Sequence, residues 1–175
     1  MNQLNDTRAG ELLLYIASKL SGDIAFGRTK LYKMLFLIDF QAYGLFGESV
    51  TGRSYRRWQR GPYPFMMPEV EQQLVEAGRA VLHEDGMFRR LEALDEPNLE
   101  VMPGEWWAVV DEVVEQCRGL RTWELKAWSH EQRPWLLTEE DAEIPYQWIF
   151  AFQPIPVSFE DIKWARRRII DLAPF

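Results

Sequence analysis

Apolar residues recur three and four positions apart over residues 8–20, where Leu12, Leu13, Ile16, Ala17 and Leu20 define one face. That spacing predicts an amphipathic helix with one side turned to a core. Gly22 and Asp23 then break it. Residues 29–43 follow another pattern. Leu31, Leu35, Ile38 and Ala42 make one stripe, and Met34, Phe36, Leu37 and Phe40 cover most of the remaining circumference. A helix that is apolar almost all round is expected in the middle of the core, with Gly44 as its left-handed terminator.

Pro68 is placed to open a third helix that ends before Gly78. Asp85-Gly86, between two short apolar-rich runs, predicts a β-hairpin with both residues in the tight turn. A fourth helix is expected from about Pro103, with Trp106, Val109, Val110, Val113 and Cys117 on one face and Gly119 as its stop. Thr122 is a candidate cap for a short helix through His130. Another helix is expected to open at Pro145 and to bury Trp148, Ile149 and Phe152. A last one is expected over residues 158–172. It carries Asp161 in its first turn and Arg166, Arg167 and Arg168 in its final half, the charge order that suits a helix dipole. The expected fold class is mainly α (α+β): a single compact helical domain of about six or seven helices with one β-hairpin.

Composition narrows the function. The 175 residues are 47% hydrophobic and include eight tryptophans and ten phenylalanines, ample driving force for one folded domain. The net charge of −7 disfavours nucleic acid as a general partner and suits a basic one. Cys117 is the sole cysteine, so no intrachain disulfide is possible and a reducing compartment is expected. The first residues lack the pattern of a secretory signal, and no apolar run approaches the roughly 20 residues of a membrane helix. A soluble, cytoplasmic protein with no membrane partner is the expectation.

Catalytic signatures fail on chemistry. The run from Gly47 to Ser54 has phosphate-loop spacing, but Arg53 stands where a lysine must reach the phosphates, and a helix precedes it. It reads as a turn rich in small residues. His130-Glu131 begins like a zinc-protease motif, yet Pro134 occupies the position of the second histidine. Cys117, on the apolar face of a valine-rich helix, reads as core filler. Glu139, Glu140, Asp141 and Glu143 read as a solvated acidic loop. No catalytic residue, metal or cofactor is expected.

Two features resist a bland reading. Residues 49–64 are dense in arginine and aromatics, the residue types enriched in protein-binding hot spots. If helical, Arg53, Arg56, Arg57 and Arg60 share a face; if extended, Arg53, Tyr55 and Arg57 alternate against Arg56, Trp58 and Arg60. The plainer alternative is that these arginines pair with surplus surface carboxylates. With Tyr63, they form the candidate partner-binding set: Arg53, Tyr55, Arg56, Arg57, Trp58, Arg60 and Tyr63. Asp39 is the second feature. It interrupts the apolar run of the central helix, and a buried carboxylate needs partners. An arginine or backbone donors of the following segment are expected to hold it.

These residues also carry a family resemblance. Thr29-Lys30-Leu31-Tyr32-Lys33-Met34-Leu35-Phe36, followed by Asp39-Phe40, resembles the lysine-leucine motif of the Panacea domain, the SocA-like antitoxin family. Thr51-Gly52-Arg53-Ser54-Tyr55 and Gly61-Pro62 resemble its threonine-glycine and glycine-proline signatures. Trp123-Glu124-Leu125 and the block Ser129-His130-Glu131-Gln132-Arg133-Pro134-Trp135 resemble its C-terminal signature, and Ile144-Pro145-Tyr146 is similar too. Order and spacing agree over about residues 7–168, which suggests one Panacea-like domain filling residues 1–175. Phe36, Arg60 and Tyr63 depart from the usual pattern, differences that bear on which partner is recognised.

The resemblance implies an antitoxin of a two-gene, often prophage-associated pair that neutralises a cognate protein toxin by direct binding. A proteolytic adaptor that delivers the toxin to a protease is the alternative within the family. A nucleic-acid or phosphate binder using residues 53–60 and 166–168 is the alternative outside it. The motif residues read mostly as scaffold: Lys30, Leu31, Lys33, Leu35, Asp39, Gly52, Gly61, Pro62, Leu125, His130, Pro134 and Trp135. Gly61-Pro62 is expected to reverse the chain, Trp135 to anchor a loop, and His130 to lock helix and loop by a hydrogen bond.

Overall fold

A computed structural model describes residues 3–151, with side chains from residue 6 onward. Helix α1 spans Gln3–Lys19 and α2 spans Arg28–Phe46; strands β1 (Tyr55–Trp58) and β2 (Gly61–Pro64) follow, then α3 (Met67–Glu76). Strands β3 (Ala80–Asp85) and β4 (Phe88–Ala93) precede α4 (Gly104–Cys117), α5 (Thr122–Glu131), α6 (Arg133–Leu136) and β5 (Glu143–Ile144). Short 3₁₀ turns lie at Leu99–Val101 and Tyr146–Phe150. This is the mainly helical α+β architecture the periodicity predicts. The helix expected over residues 158–172 lies outside the described residues, as do Arg166, Arg167 and Arg168.

Helix α2 is the centre, as its all-round apolar pattern requires. Every residue from Lys30 to Phe40 is buried, and α4, α5, β2, β4 and the turn 146–150 pack around it. Its end differs from expectation. Gly44 stays helical: a Cβ on it would lie 3.4 Å from Ile149 Cγ1, and two residues on Phe46 stacks on Trp106, ring centres 5.8 Å apart. Gly47 is the true cap, left-handed at φ 76°, its N–H donating to the Tyr43 carbonyl.

The hairpin β3–β4 forms, but its turn is Gly86-Met87: Asp85 still pairs with Phe88, and of the two turn residues only Gly86 has positive φ. One left-handed residue suffices there, so Asp85 stays in the strand. There is also a second antiparallel hairpin, β1–β2, extended by β5 into a sheet of order β2-β1-β5. The acidic run is an exposed turn over residues 139–141, as expected, and only its last member, Glu143, enters a strand, pairing with Arg56.

Three local expectations change similarly. Arg121, not Thr122, flanks α5, its N–H donating 2.7 Å to the Glu124 carboxylate. Trp135 lies in the helical turn α6 instead of a loop, and is buried. The segment after Pro145 is a 3₁₀ turn that leaves Trp148 39% exposed, and Phe152 lies outside the described residues. Cys117 is buried, and desolvation pushes its thiol up to about 12. No helix among the described residues is long and apolar enough to cross a membrane.

Candidate partner-binding site

The arginine-aromatic segment is extended and anchored at its base by Asp39. This carboxylate is fully buried. It accepts from the Thr51 N–H at 2.8 Å and the Tyr55 hydroxyl at 2.7 Å, and also from the Thr51 hydroxyl. Backbone donors of the following segment therefore hold it, as expected, but hydroxyls complete the set and no arginine takes part. Desolvation raises its pKa and these hydrogen bonds oppose that, leaving it at about 6. Tyr146 closes the anchor from the far end of the chain. Its hydroxyl donates to the Arg53 carbonyl at 2.6 Å, and its ring stacks on Phe40 at 4.5 Å.

This anchoring divides the candidate set. Tyr55 is fully buried against Phe36 and Phe40, and Arg53 is 7% exposed and paired with Asp6. Both therefore belong to the scaffold and offer no open surface, because strand alternation turns Tyr55 inward while Asp6 holds Arg53. Arg57 is half-buried on the same side of β1, its guanidinium 4.9 Å from the Trp135 ring and donating to the Thr138 carbonyl. Arg56, Trp58 and Arg60 are exposed at the outer part of the hairpin. Trp58 stacks on half-buried Tyr63 with ring centres 4.2 Å apart and planes 23° from parallel, so the indole is held in place. Among the described residues, Arg56, Arg57 and Arg60 form no ion pair, although the chain has 27 acidic and 20 basic residues. Pairing with a carboxylate is found for Arg53, but in a largely buried pair with Asp6, and among the described residues it is not found for these three.

Beneath the hairpin lies a cleft of about 210 Å³ lined by Arg28, Thr29, Tyr32, Lys33, Trp58, Arg60, Gly61, Pro62 and Tyr63. Gly61 and Pro62 are buried, and Gly61 adopts φ 119°, a conformation that favours glycine. Lys33 is buried under it and donates 2.9 Å to the Arg60 carbonyl, tying α2 to the hairpin turn. Lys30, one turn away, is instead neutralised by Asp23 at 2.7 Å and donates to the Leu120 carbonyl at 2.8 Å. Arg28 pairs with buried Glu71. His130 stacks flat on Trp135 at 4.0 Å, and its Nε2 is buried without a hydrogen-bond partner. Stacking, and no hydrogen bond at that nitrogen, locks the ring. Burial, then the charges of Lys126, Lys33 and Arg57, lower its pKa to about 4, so it is neutral at pH 7.

Leu31, Leu35, Leu125, Pro134 and Trp135 are all buried, while Gly52 is exposed at φ 63°. Residues 28, 29 and 32 were missed as cleft lining. Their signal was present: with Lys33 they form two i, i+4 pairs, 28 with 32 and 29 with 33, at the start of α2.

The described family model "Antitoxin SocA-like, Panacea domain" matches residues 31–136, more than half of the chain. No curated protein and no solved structure matches it.

Proposed function

Because this chain belongs to the SocA-like antitoxin family through its Panacea domain, we propose that it neutralises a cognate protein toxin by binding it directly, with the β1–β2 hairpin as the principal contact. One observation carries the placement: Arg56, Trp58 and Arg60 are exposed, without ion pairs among the described residues, on a hairpin whose base is anchored to the core. A pre-ordered aromatic flanked by planar cations loses little entropy on docking and supplies the chemistry of interface hot spots. In this reading the protein is cytoplasmic and not an enzyme, and no bond is made or broken by its side chains.

Coexpression tests it. The product of the neighbouring gene is expected to be toxic alone and tolerated when this chain is present. The two should copurify, and the toxin's half-life should be unchanged. No rescue, with both proteins folded and soluble, would defeat the reading. A shortened half-life would instead favour delivery to a protease.

A further inference from the structure

The floor of the cleft under the hairpin is a buried cation that lacks an anion. Lys33 is 2% exposed, and its ammonium donates to the Arg60 carbonyl at 2.9 Å and the Thr29 carbonyl at 3.4 Å. Two carbonyls take two of its three protons. Among the described residues no carboxylate pairs with it, and burial, then repulsion from Lys126, lowers its pKa to about 8. A buried charge without a counter-charge is costly. The adjoining cations are accounted for differently: Arg28 is engaged by Glu71, and Arg60 reaches solvent. Asp141 lines a neighbouring depression with Trp58, Gln59 and Arg60, and no carboxylate is among the residues that line the cleft itself.

Gly61 lets the ammonium pack directly under the hairpin turn. A Cβ there would lie only 3.1 Å from Lys33 Nζ and 3.7 Å from His130 Nε2, so the absent side chain is what allows Lys33 to sit there, beside an unpartnered ring nitrogen. The walls are aromatic, with Tyr32 and Trp58 each in ring contact with Tyr63. The volume of about 210 Å³ is below the roughly 300–1,000 Å³ of most small-molecule sites. It suits one side chain.

Resting on the neutralisation reading, we infer that this cleft receives a single carboxylate side chain, aspartate or glutamate, from the toxin, with Lys33 as its counter-charge and Trp58–Tyr63 as its wall. A carboxylate forms a charge-assisted hydrogen bond there and relieves the buried cation. A neutral side chain of the same shape leaves Lys33 unpaired, so the cleft discriminates by charge.

The test uses the full chain and two probes, N-acetylglutamate N-methylamide and its neutral glutamine counterpart. NMR follows the Lys33 ε-methylene and the His130 ring during each titration. The acid is expected to perturb both saturably at millimolar concentration and to raise the Lys33 titration midpoint by about one unit, tenfold in proton affinity, as a nearby opposite charge does. The amide is expected to do neither. Lys33→Met should abolish the response at His130, and Trp58→Ala, at an exposed position, should weaken it severalfold. No saturable response to the acid, or an equal response to the amide, overturns the assignment. Tighter binding of inorganic phosphate also overturns it, by making the cleft a phosphate site. Failure to rescue cells from the toxin, with the probe results as expected, would strike the neutralisation reading and leave the cleft's chemistry standing.

Discussion

A Cβ on Gly61 would come within 3.0 Å of Lys33 Cε, so the turn of the hairpin and the second turn of α2 meet at the one residue type without a side chain. The contact joins two motif blocks, and the hydrogen bond between Lys33 and Arg60, 27 residues apart in the chain, completes the join. Gly61 also sits at φ 119°, so a side chain there meets backbone strain as well as Lys33.

Gly61→Ala is therefore expected to cost about 2 kcal/mol, from backbone strain plus displacement of a buried lysine. For a chain of this size that lowers Tm by about 4–8 °C. Thermal unfolding followed by circular dichroism checks it; an unchanged Tm would mean the turn relaxes freely.

Asp39 should give an inverted pH dependence. Its native carboxyl titrates at about 6, against an ordinary value of 3.8. A group whose folded pKa is raised contributes stability that is fully present below the unfolded value and lost as pH rises through the folded one. Compared with Asp39→Asn, which does not titrate, the wild type should lose roughly 3 kcal/mol of relative stability between pH 4 and pH 7. Urea unfolding of both proteins across that range decides it, and parallel curves would refute the raised pKa. Asp39→Ala, which leaves Thr51 and Tyr55 donors unanswered, should cost about 3–5 kcal/mol near pH 4 and less as the pH rises towards 7.

The His130 ring is expected to stay neutral until about pH 4. Imidazole NMR signals should titrate there and not near the ordinary value of 6.5. Trp135→Leu removes the stacked indole and should move the midpoint upward as water reaches the ring. A wild-type midpoint near 6.5 would show that the ring is solvated.

Charge reversal at the outer hairpin separates binding from folding. The double substitution Arg56→Glu and Arg60→Glu touches exposed positions, so stability should change by no more than about 0.5 kcal/mol. Toxin association should slow by about tenfold or more and lose much of its dependence on salt. Unaltered association kinetics would move the contact to another face.

Cys117 should resist thiol reagents in the native protein. With its pKa near 12, roughly one molecule in ten thousand carries a thiolate at pH 8. Labelling should proceed only at the rate of unfolding and become fast in denaturant. Rapid native labelling would contradict its burial.

Local patterns along the chain were enough to announce α1, α2, α3, α4 and α5, the central place of α2 and the hairpin β3–β4. Each depends on residues within a turn or a pleat of one another, where spacing alone decides which side chains share a face. The family signatures are local in the same sense, and so is the clustering of Arg56, Trp58 and Arg60. Packing decided the rest. Ile149, more than 100 residues later, lies beside Gly44 within α2, and β5, far along the chain, pairs with Tyr55 and Arg56 to extend the β1–β2 hairpin into a sheet. The arginines were sorted into scaffold and surface by Asp6, Trp135 and Thr138, none of them a neighbour in the chain. The meeting of Lys33, Gly61 and His130 belongs to the same category: three backbone segments had to converge before a buried ammonium could lack an anion, and no spacing within any one of them encodes that.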